Sequence, residues 1–517
     1  ARRLWGAADR SSKRFFVALI EERRFDWPQS CFPVPLLRWG AADFFEWGII
    51  YEPSFGAVLF AFMERDNVQK SEQRQAIALF AVVVLASSVG NLAQTGLNAM
   101  LSSICAEFGI VEGVGQWLTT SYMLVLGIVV PLSSYFMGRF RLKDLTLLAI
   151  ALFAVGALVS AAASNFAMLF AGRLAQAVAA GMLLPLVQTI AMTRFPDGRK
   201  ATAMGISGIA MGFAPNVGPT IGGAMVEGLG WRSFFWLLVA LTVVVGIACQ
   251  FAVKRRDDAS YPAGFDVLSF ALSALGFGGL LMGTSEVSSY SFIHPFVWAP
   301  LIAGAACLFA FAKRQRSLEN PLVDLAIFDN REFVDGFWAL NCLFASFMGI
   351  TLLVPLYIEG LCGGSAMQAG LVLLPGTVAA LIANPLAGLL VDKIGARPVT
   401  LFFGACLVMG SCLMVACGAS TPLWAVCAMQ GVRSTGVSGL IGPLIAWSLS
   451  GLRGRQISDG SGFGTAARQA CASIGCAGMV FFACGGALTG EVAFHAAFGL
   501  SAAFSLACFA IIALRVK

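Results

Sequence analysis

Residues Gly388-Leu-Leu-Val-Asp392-Lys393-Ile-Gly395-Ala-Arg397-Pro398 put one acid and two bases into a short turn between two apolar runs, 367–391 and 398–417. Each run has about the 20 residues that an α-helix needs to cross a bilayer. Charges in such a turn complement helix-end dipoles, which favour an anion at an N-terminus and a cation at a C-terminus. The stretch reads as the joint of a transmembrane hairpin.

Working outward, the same alternation of apolar run and short polar loop fills the chain from Gln75 to its end. The runs fall near 76–98, 114–137, 145–164, 168–193, 202–227, 231–252, 266–284, 296–313, 335–357, 367–391, 398–417, 421–446, 461–486 and 492–514, which is fourteen. The expected fold class is all-α: a polytopic membrane protein of about 14 transmembrane helices. Composition agrees, because 58% of the 517 residues are hydrophobic and 12% charged. Soluble domains average roughly 45–50% and about 25%. A water-soluble fold is excluded. The net charge of +6 is scattered in twos and threes instead of lying on one face, so no nucleic-acid partner is expected.

Loop charge tests the helix count independently, since cytoplasmic loops collect Lys and Arg. Of the 26 basic residues after Met63, 22 fall on the side of the amino terminus, Arg232 stands alone on the other, and Arg173, Arg433 and Arg468 lie within apolar runs. A wrong count would scramble this pattern. Both termini are expected in the cytoplasm of a multi-pass cell (inner) membrane protein.

Residues 1–62 differ from the rest and hold 15 of the 62 charges, with no methionine before Met63. A cytoplasmic segment is expected over 1–74. Its first 62 residues read either as a genuine extension or, by preference, as non-native sequence ahead of a start at Met63. The remaining domains are expected at 75–252, 253–332 and 333–517.

The 14 cysteines form no C-x-x-C pair, and neither His294 nor His495 has a cysteine at ligand spacing. No metal and no cofactor are expected. The chain has no Gly-Lys-Ser/Thr and so no phosphate-binding P-loop for primary transport. No cluster of carboxylates, histidines or an activated nucleophile points to an enzyme.

Helix 5 carries Gly208, Gly212, Pro215, Asn216, Gly218, Pro219, Gly222 and Gly223. Its glycines four apart let a neighbouring backbone approach closely, and its prolines bend the helix. Asn216 either lines a cavity or caps freed backbone groups. Helix 4 opens with Gly172-Arg173-Leu-Ala-Gln176. A guanidinium at that depth is costly without a partner or a wet cavity, unless it snorkels to the headgroups.

The 388–398 turn resembles the signature loop of the major facilitator superfamily. The loop Ser134-Tyr-Phe-Met-Gly138-Arg139-Phe-Arg141-Leu-Lys143 resembles a worn copy, with Gly138 where the acid belongs. The Gly-Pro-x-x-Gly-Gly of helix 5 is similar to the antiporter signature, and Arg173-x-x-Gln176 to the Arg-x-x-Gln signature of helix 4. Gln116-Trp117 through Tyr122, Trp231-Arg232, Asn320-Pro321 through Asp324 and Arg468-Gln469 add to a resemblance to the fourteen-helix drug:H+ antiporter family, covering about residues 75–515.

That resemblance implies two six-helix bundles with two extra helices between them, and multidrug-type efflux of small amphipathic or hydrophobic compounds by proton antiport with alternating access. The implied partners are the substrate, protons, lipid and, where the source has an outer membrane, a periplasmic adaptor. Candidate substrate or coupling residues are Arg173, Gln176, Asn91, Gln94, Asn98, Tyr122, Asn216 and Asp335. Conformational motifs add Arg139, Gly388, Asp392, Lys393, Gly395 and Arg397 to the helix 5 set. One departure stands out: Ala93 occupies the family's helix 1 aspartate position. Acidic residues across the spans are read as Glu227, Asp335, Glu359 and Asp392, all near helix ends. An uncoupled or single-metabolite exporter, or a transport-incompetent sensor of the same fold, is the alternative.

Overall fold

A computed structural model describes the backbone of residues 53–254, 265–285, 294–364, 366–484 and 490–516. The chain divides into two units, Ala1–Ser71 and Glu72–Lys517. Of the first, residues 53–71 are helical, and the segment expected at 1–52 lies outside the described residues.

The second unit is built of helices, with no strand among the described residues. In chain order they are α1 (Gln73–Phe108), α2 (Gly113–Arg139), α3 (Leu142–Ala161), α4 (Phe166–Arg194), α5 (Lys200–Gly208, Ile209–Phe213 and Ala214–Leu229), α6 (Trp231–Ala252), α7 (Val267–Ser285), α8 (Pro295–Ser317), α9 (Arg331–Leu361), α10 (Ala366–Ile394), α11 (Ala396–Val415), α12 (Leu423–Ser450), α13 (Arg455–Cys484) and α14 (Gly490–Arg515). Twelve of the described helices are long and apolar enough to cross a membrane by length and composition. Together with α5 and α12, whose apolar runs are interrupted by Asn216 and by Gln430 and Arg433, the helices of this unit number fourteen among the described residues. Helices α1–α6 form one half and α9–α14 the other.

Small residues set the packing, because in lipid the helices gain from close van der Waals contact instead of from the hydrophobic effect. A Cβ on Gly156 of α3 would lie 2.7 Å from the Gly172 carbonyl of α4, and one on Gly436 of α12 would lie 2.6 Å from Leu407 Cα of α11. The same crowding joins α9 to α13, where a Cβ on Gly475 would lie 2.7 Å from Ala345 Cα. Charged ends then lock the helices lengthwise. Lys143, in the first turn of α3, donates to the carbonyls of Gln250 and Val253 at the end of α6, a cation on a helix C-terminus. At the opposite end Glu107 of α1 accepts from Trp231 Nε1 at 2.7 Å and Arg232 Nη1 at 2.6 Å.

The extra pair α7–α8 packs glycine to glycine, with a Cβ on Gly279 placed 2.9 Å from Gly304 Cα. Its base is closed by Asp266, which accepts from Arg314 at 2.7 and 3.1 Å. The Arg314 guanidinium, followed by the Ser269 hydroxyl, holds the Asp266 carboxyl well below the usual carboxylate range. The pair lies along the flank where the halves meet: Leu281 would meet a Cβ on Gly127 of α2, and Phe277 stands edge-on to Phe463 of α13 at 5.9 Å. An apolar cavity of about 400 Å³ opens there, lined by Phe277, Leu308, Phe311, Phe337 and Phe463 among others.

Candidate functional site

Among the described residues, polar groups that packing alone does not require lie in the interior of the first half around Arg173, in the interior of the second half around Arg433, and at the seam between the halves.

Arg173 sits about two turns into α4, whose start is fixed by Asn165 accepting from Met168 N at 2.9 Å. It is 0% exposed, so it does not snorkel. Its Nη1 donates to the Ala93 carbonyl at 3.0 Å and to Gln176 Oε1 at 3.0 Å, while the guanidinium carbon lies 4.3 Å from the centre of the Tyr122 ring. Tyr122 donates to the Gly90 carbonyl at 3.0 Å. Gln176 Nε2 donates to Ser160 Oγ at 3.4 Å. The missing helix 1 carboxylate leaves the guanidinium facing a backbone oxygen, and its Nε and Nη2 have no hydrogen-bond partner among the described residues.

Other candidates lie elsewhere. Asn91 Nδ2 donates to the Ala210 carbonyl at 3.0 Å, tying α1 to the widened turn of α5. Asn98 is exposed and accepts from Thr119 at 3.1 Å. Gln94 is half-buried without a side-chain hydrogen bond among the described residues. Asp335 is at the start of α9, 3.9 Å from Arg515 at the end of α14, far along the chain from the Arg173 group. The side chains of Pro215 and Asn216 lie outside the described residues.

The seam is built on α5. Pro215 has no N–H to return to Met211, and the helix widens to a π turn over Ile209–Phe213, closed by Ala214 N bonding to the Ile209 carbonyl. The two sides of that turn serve different neighbours. Beyond it, Gly218 abuts Thr95 and the backbone of Gly96, and a Cβ on Gly222 would lie 2.5 Å from the Gly96 carbonyl, so this end is pressed onto α1. Gly223 is roomier, with Ala99 Cβ at 3.9 Å from its would-be Cβ. Before the turn, a Cβ on Gly205 would lie 2.5 Å from the Asn384 carbonyl and 3.1 Å from Gly388 Cα, so α5 here runs against α10 of the other half. Asn384 Nδ2 donates to the Gly208 carbonyl at 3.2 Å, and Gly212 is 3.3 Å from that nitrogen by the same measure.

The 388–398 turn finishes this contact. Asp392 accepts from Ala201 N at 3.3 Å, Thr202 N at 2.7 Å and Thr202 Oγ1 at 2.5 Å. A carboxylate of the second half thus caps the free N–H groups at the start of α5. Gly395 takes φ +91° to turn the chain into α11, a conformation that disfavours side chains. Lys393 and Arg397 are exposed, as is Arg139 in the α2–α3 loop.

A second contact joins α4 to α13. Thr189 and Ser461 hydroxyls are 3.0 Å apart, Ser461 donates to the Pro185 carbonyl at 3.2 Å, and Gln188 donates to Thr465 at 3.3 Å. Arg468 reaches back to Gln188 Oε1 at 3.3 Å. Sequence reasoning missed Gln188 and Asn384, although a lone amide in an apolar run is the signal that would have found them. It also missed Asp459. The expected start of helix 13 at 461 is corrected to Arg455, because Ser458-Asp459-Gly460 reads as loop yet is helical. Asp459 is 0% exposed, 3.4 Å from Arg455 and accepts from Asp324 N at 3.0 Å, so the acidic residues read across the spans were one short. Among the described residues no group of three His, Cys, Asp or Glu is placed to hold a metal.

Two six-helix halves meeting at a seam capped by a signature-loop carboxylate are matched by a family profile described as Major Facilitator Superfamily over residues 83–476. The chain belongs to the major facilitator superfamily. This is a superfamily of membrane transporters, not of enzymes. The chain is 34% identical over 408 residues to the uncharacterized MFS-type transporter YhcA of Bacillus subtilis, covering 79% of this chain and 76% of the relative. It is 32% identical over 403 residues to the lincomycin resistance protein LmrB of Listeria monocytogenes, covering 78% and 85%. Among solved structures, the proton:xylose symporter XylE shares the fold with a TM-score of 0.59 at 14% identity, over 86% of this chain and 96% of that one.

Proposed function

We propose that the chain is a secondary active exporter of small amphipathic or hydrophobic compounds, working by alternating access in the cell (inner) membrane with both termini cytoplasmic. The observation that carries this reading is the seam. Its α5–α10 contact is made of glycine faces, the neutral Asn384 amide and one capping carboxylate, an interface that parts without leaving a buried charge, while the other end of α5 stays packed on α1. Similarity to LmrB supports a drug-type substrate. Loop charge supports the orientation, since the end bearing Asp392 is the one where Lys and Arg gather.

Proton antiport is the finer part of the reading, and here one observation favours uncoupled export: Arg173 faces the carbonyl of Ala93 where the resemblance implies an aspartate. Amides and carbonyls do not titrate. The test is a panel of efflux assays in a host lacking its own exporters, repeated in sealed vesicles with an imposed pH gradient. Export of one or more amphipathic compounds is expected, with weak dependence on the gradient. Ala93→Asp is expected to increase that dependence, because a carboxylate beside a buried guanidinium binds and releases a proton as access alternates. Arg173→Leu is expected to abolish export. Full activity in Arg173→Leu sinks the assignment of Arg173, and no export of any compound favours a sensor.

A further inference from the structure

Three guanidiniums lie inside the spanning helices, and among the described residues no carboxylate pairs with any of them. Arg173 is enclosed in the first half. Arg433 of α12 is enclosed in the second, where its Nη2 donates to the Ser346 carbonyl at 2.7 Å, the Ser346 hydroxyl at 3.1 Å and Ser501 Oγ at 3.5 Å. Arg468 is placed differently, near the middle of α13 and at the seam. Its Nη2 donates to Thr465 Oγ1 at 2.6 Å and to Gln188 Oε1 on the opposite half at 3.3 Å, and the guanidinium carbon is 5.7 Å from the centre of the Phe344 ring. Nε is buried without a hydrogen-bond partner. Only 4% of the residue is exposed.

A guanidinium at this depth, held by one amide and one hydroxyl, lacks both its counter-charge and part of its hydrogen bonding. The acid on the same helix, Asp459, is nine residues away and engaged with Arg455 and Asp324. An anionic oxygen would supply what the chain does not, through charge-assisted hydrogen bonds to the planar donor edge. Since Gln188 belongs to the other half, an anion that takes the guanidinium competes with a bond across the seam. Binding and loosening of the seam then become one event.

We infer that Arg468 receives an anionic group on the transported compound, so that the preferred substrates are amphipathic anions, an apolar body bearing a carboxylate, sulfonate or phosphate, and that the anion displaces Gln188. This rests on the exporter reading above. The test uses three probes with one apolar body: pyrenebutyrate, its methyl ester and pyrenebutyltrimethylammonium. Export is measured in sealed vesicles, and binding is measured by the thermal stability of the purified full chain in detergent. The anion is expected to be exported at least about tenfold better than the cation, the discrimination a charge-assisted bond provides. The ratio of anion to ester export is expected to fall about tenfold in Arg468→Gln and to recover in part in Arg468→Lys. Pyrenebutyrate is expected to raise the melting temperature of the unmodified protein and not of Arg468→Gln.

Export of ester and cation with exclusion of the anion overturns the inference while leaving the exporter reading intact. Equal losses for all three probes in Arg468→Gln also overturn it, by giving Arg468 a structural role only. So does a stabilisation by sodium chloride alone that pyrenebutyrate does not exceed. If none of the three probes is exported or bound, the inference falls, while the exporter reading is decided separately by the compound panel above.

Discussion

The loops that join the second and third helices of each half meet the opposite half in different ways. In the second half, Asp392 caps the first turn of α5 with three hydrogen bonds. In the first half, the corresponding position is Gly138, and α13 supplies its own acid, Asp459, anchored to the α8–α9 linker by Asp324 N. Arg455 adds bonds to the carbonyls of Pro321 and Leu322 in the same linker. One seam is fastened across the halves by a carboxylate on a helix start; at the other, hydroxyls and amides of α4 and α13 cross the halves and the acid is tied to the connection that carries the two extra helices. The difference teaches that an acid serves one seam by capping a helix start and the other by tying a helix to a linker N–H and an arginine.

The largest test of that asymmetry is steric. Gly388→Ala and Gly205→Ala each put a Cβ into backbone contacts of the α5–α10 seam, where it is already too close. Export is expected to be lost in both, with a penalty on closure of roughly 1–3 kcal/mol or more. The matching change at the other seam, Gly462→Ala, brings its Cβ to 3.2 Å from the Val130 carbonyl and is expected to keep most of the activity. Equal losses at the two seams, measured by vesicle export, break the comparison.

A smaller effect is expected from Asp392→Asn, which keeps the shape and removes the charge at the α5 N-terminus. Hydrogen bonds to a charged group contribute about 1.5–3 kcal/mol, so spin labels on the basic ends of α5 and α10 should show a population shifted to longer distances. An unchanged distance distribution removes Asp392 from the closing contact. The reverse substitution, Gly138→Asp, is expected to shift the α2–α13 distance distribution least, since an exposed charge near a helix end contributes no more than about 1 kcal/mol and Arg455 and Asp459 already tie α13 to the α8–α9 linker. A shift larger than that of Asp392→Asn sinks the idea that the two seams are fastened differently.

Along α5 the same method separates two functions of one helix. Gly222→Ala drives a Cβ against the Gly96 carbonyl, whereas Gly223→Ala meets Ala99 at van der Waals distance. Loss of export in the first and retention in the second are expected. Normal export in both removes the α1–α5 contact from the mechanism.

The number of helices, the hairpin at 388–398 and the bend of α5 were legible in the chain, because each follows from local chemistry: run length against bilayer thickness, charge against helix dipole, and the missing proline N–H. The family resemblance followed from the same stretches. Arg173 was legible as a costly buried charge, and its neighbours Tyr122 and Gln176 as the polar side chains at hand. Which groups actually meet was decided by tertiary structure alone. Nothing local to Asn384 or Gln188 says that they face Gly208 and Arg468 across the seam, since each partner lies more than 170 residues away. Asp459 hid in a run of Ser and Gly that reads as loop until packing against Asp324 and Arg455 makes it helix. Sequence fixes which segments enter the bilayer because that depends on each segment's own transfer from water. Pairing of charges and amides depends on where distant helices stand, and only the folded bundle sets that.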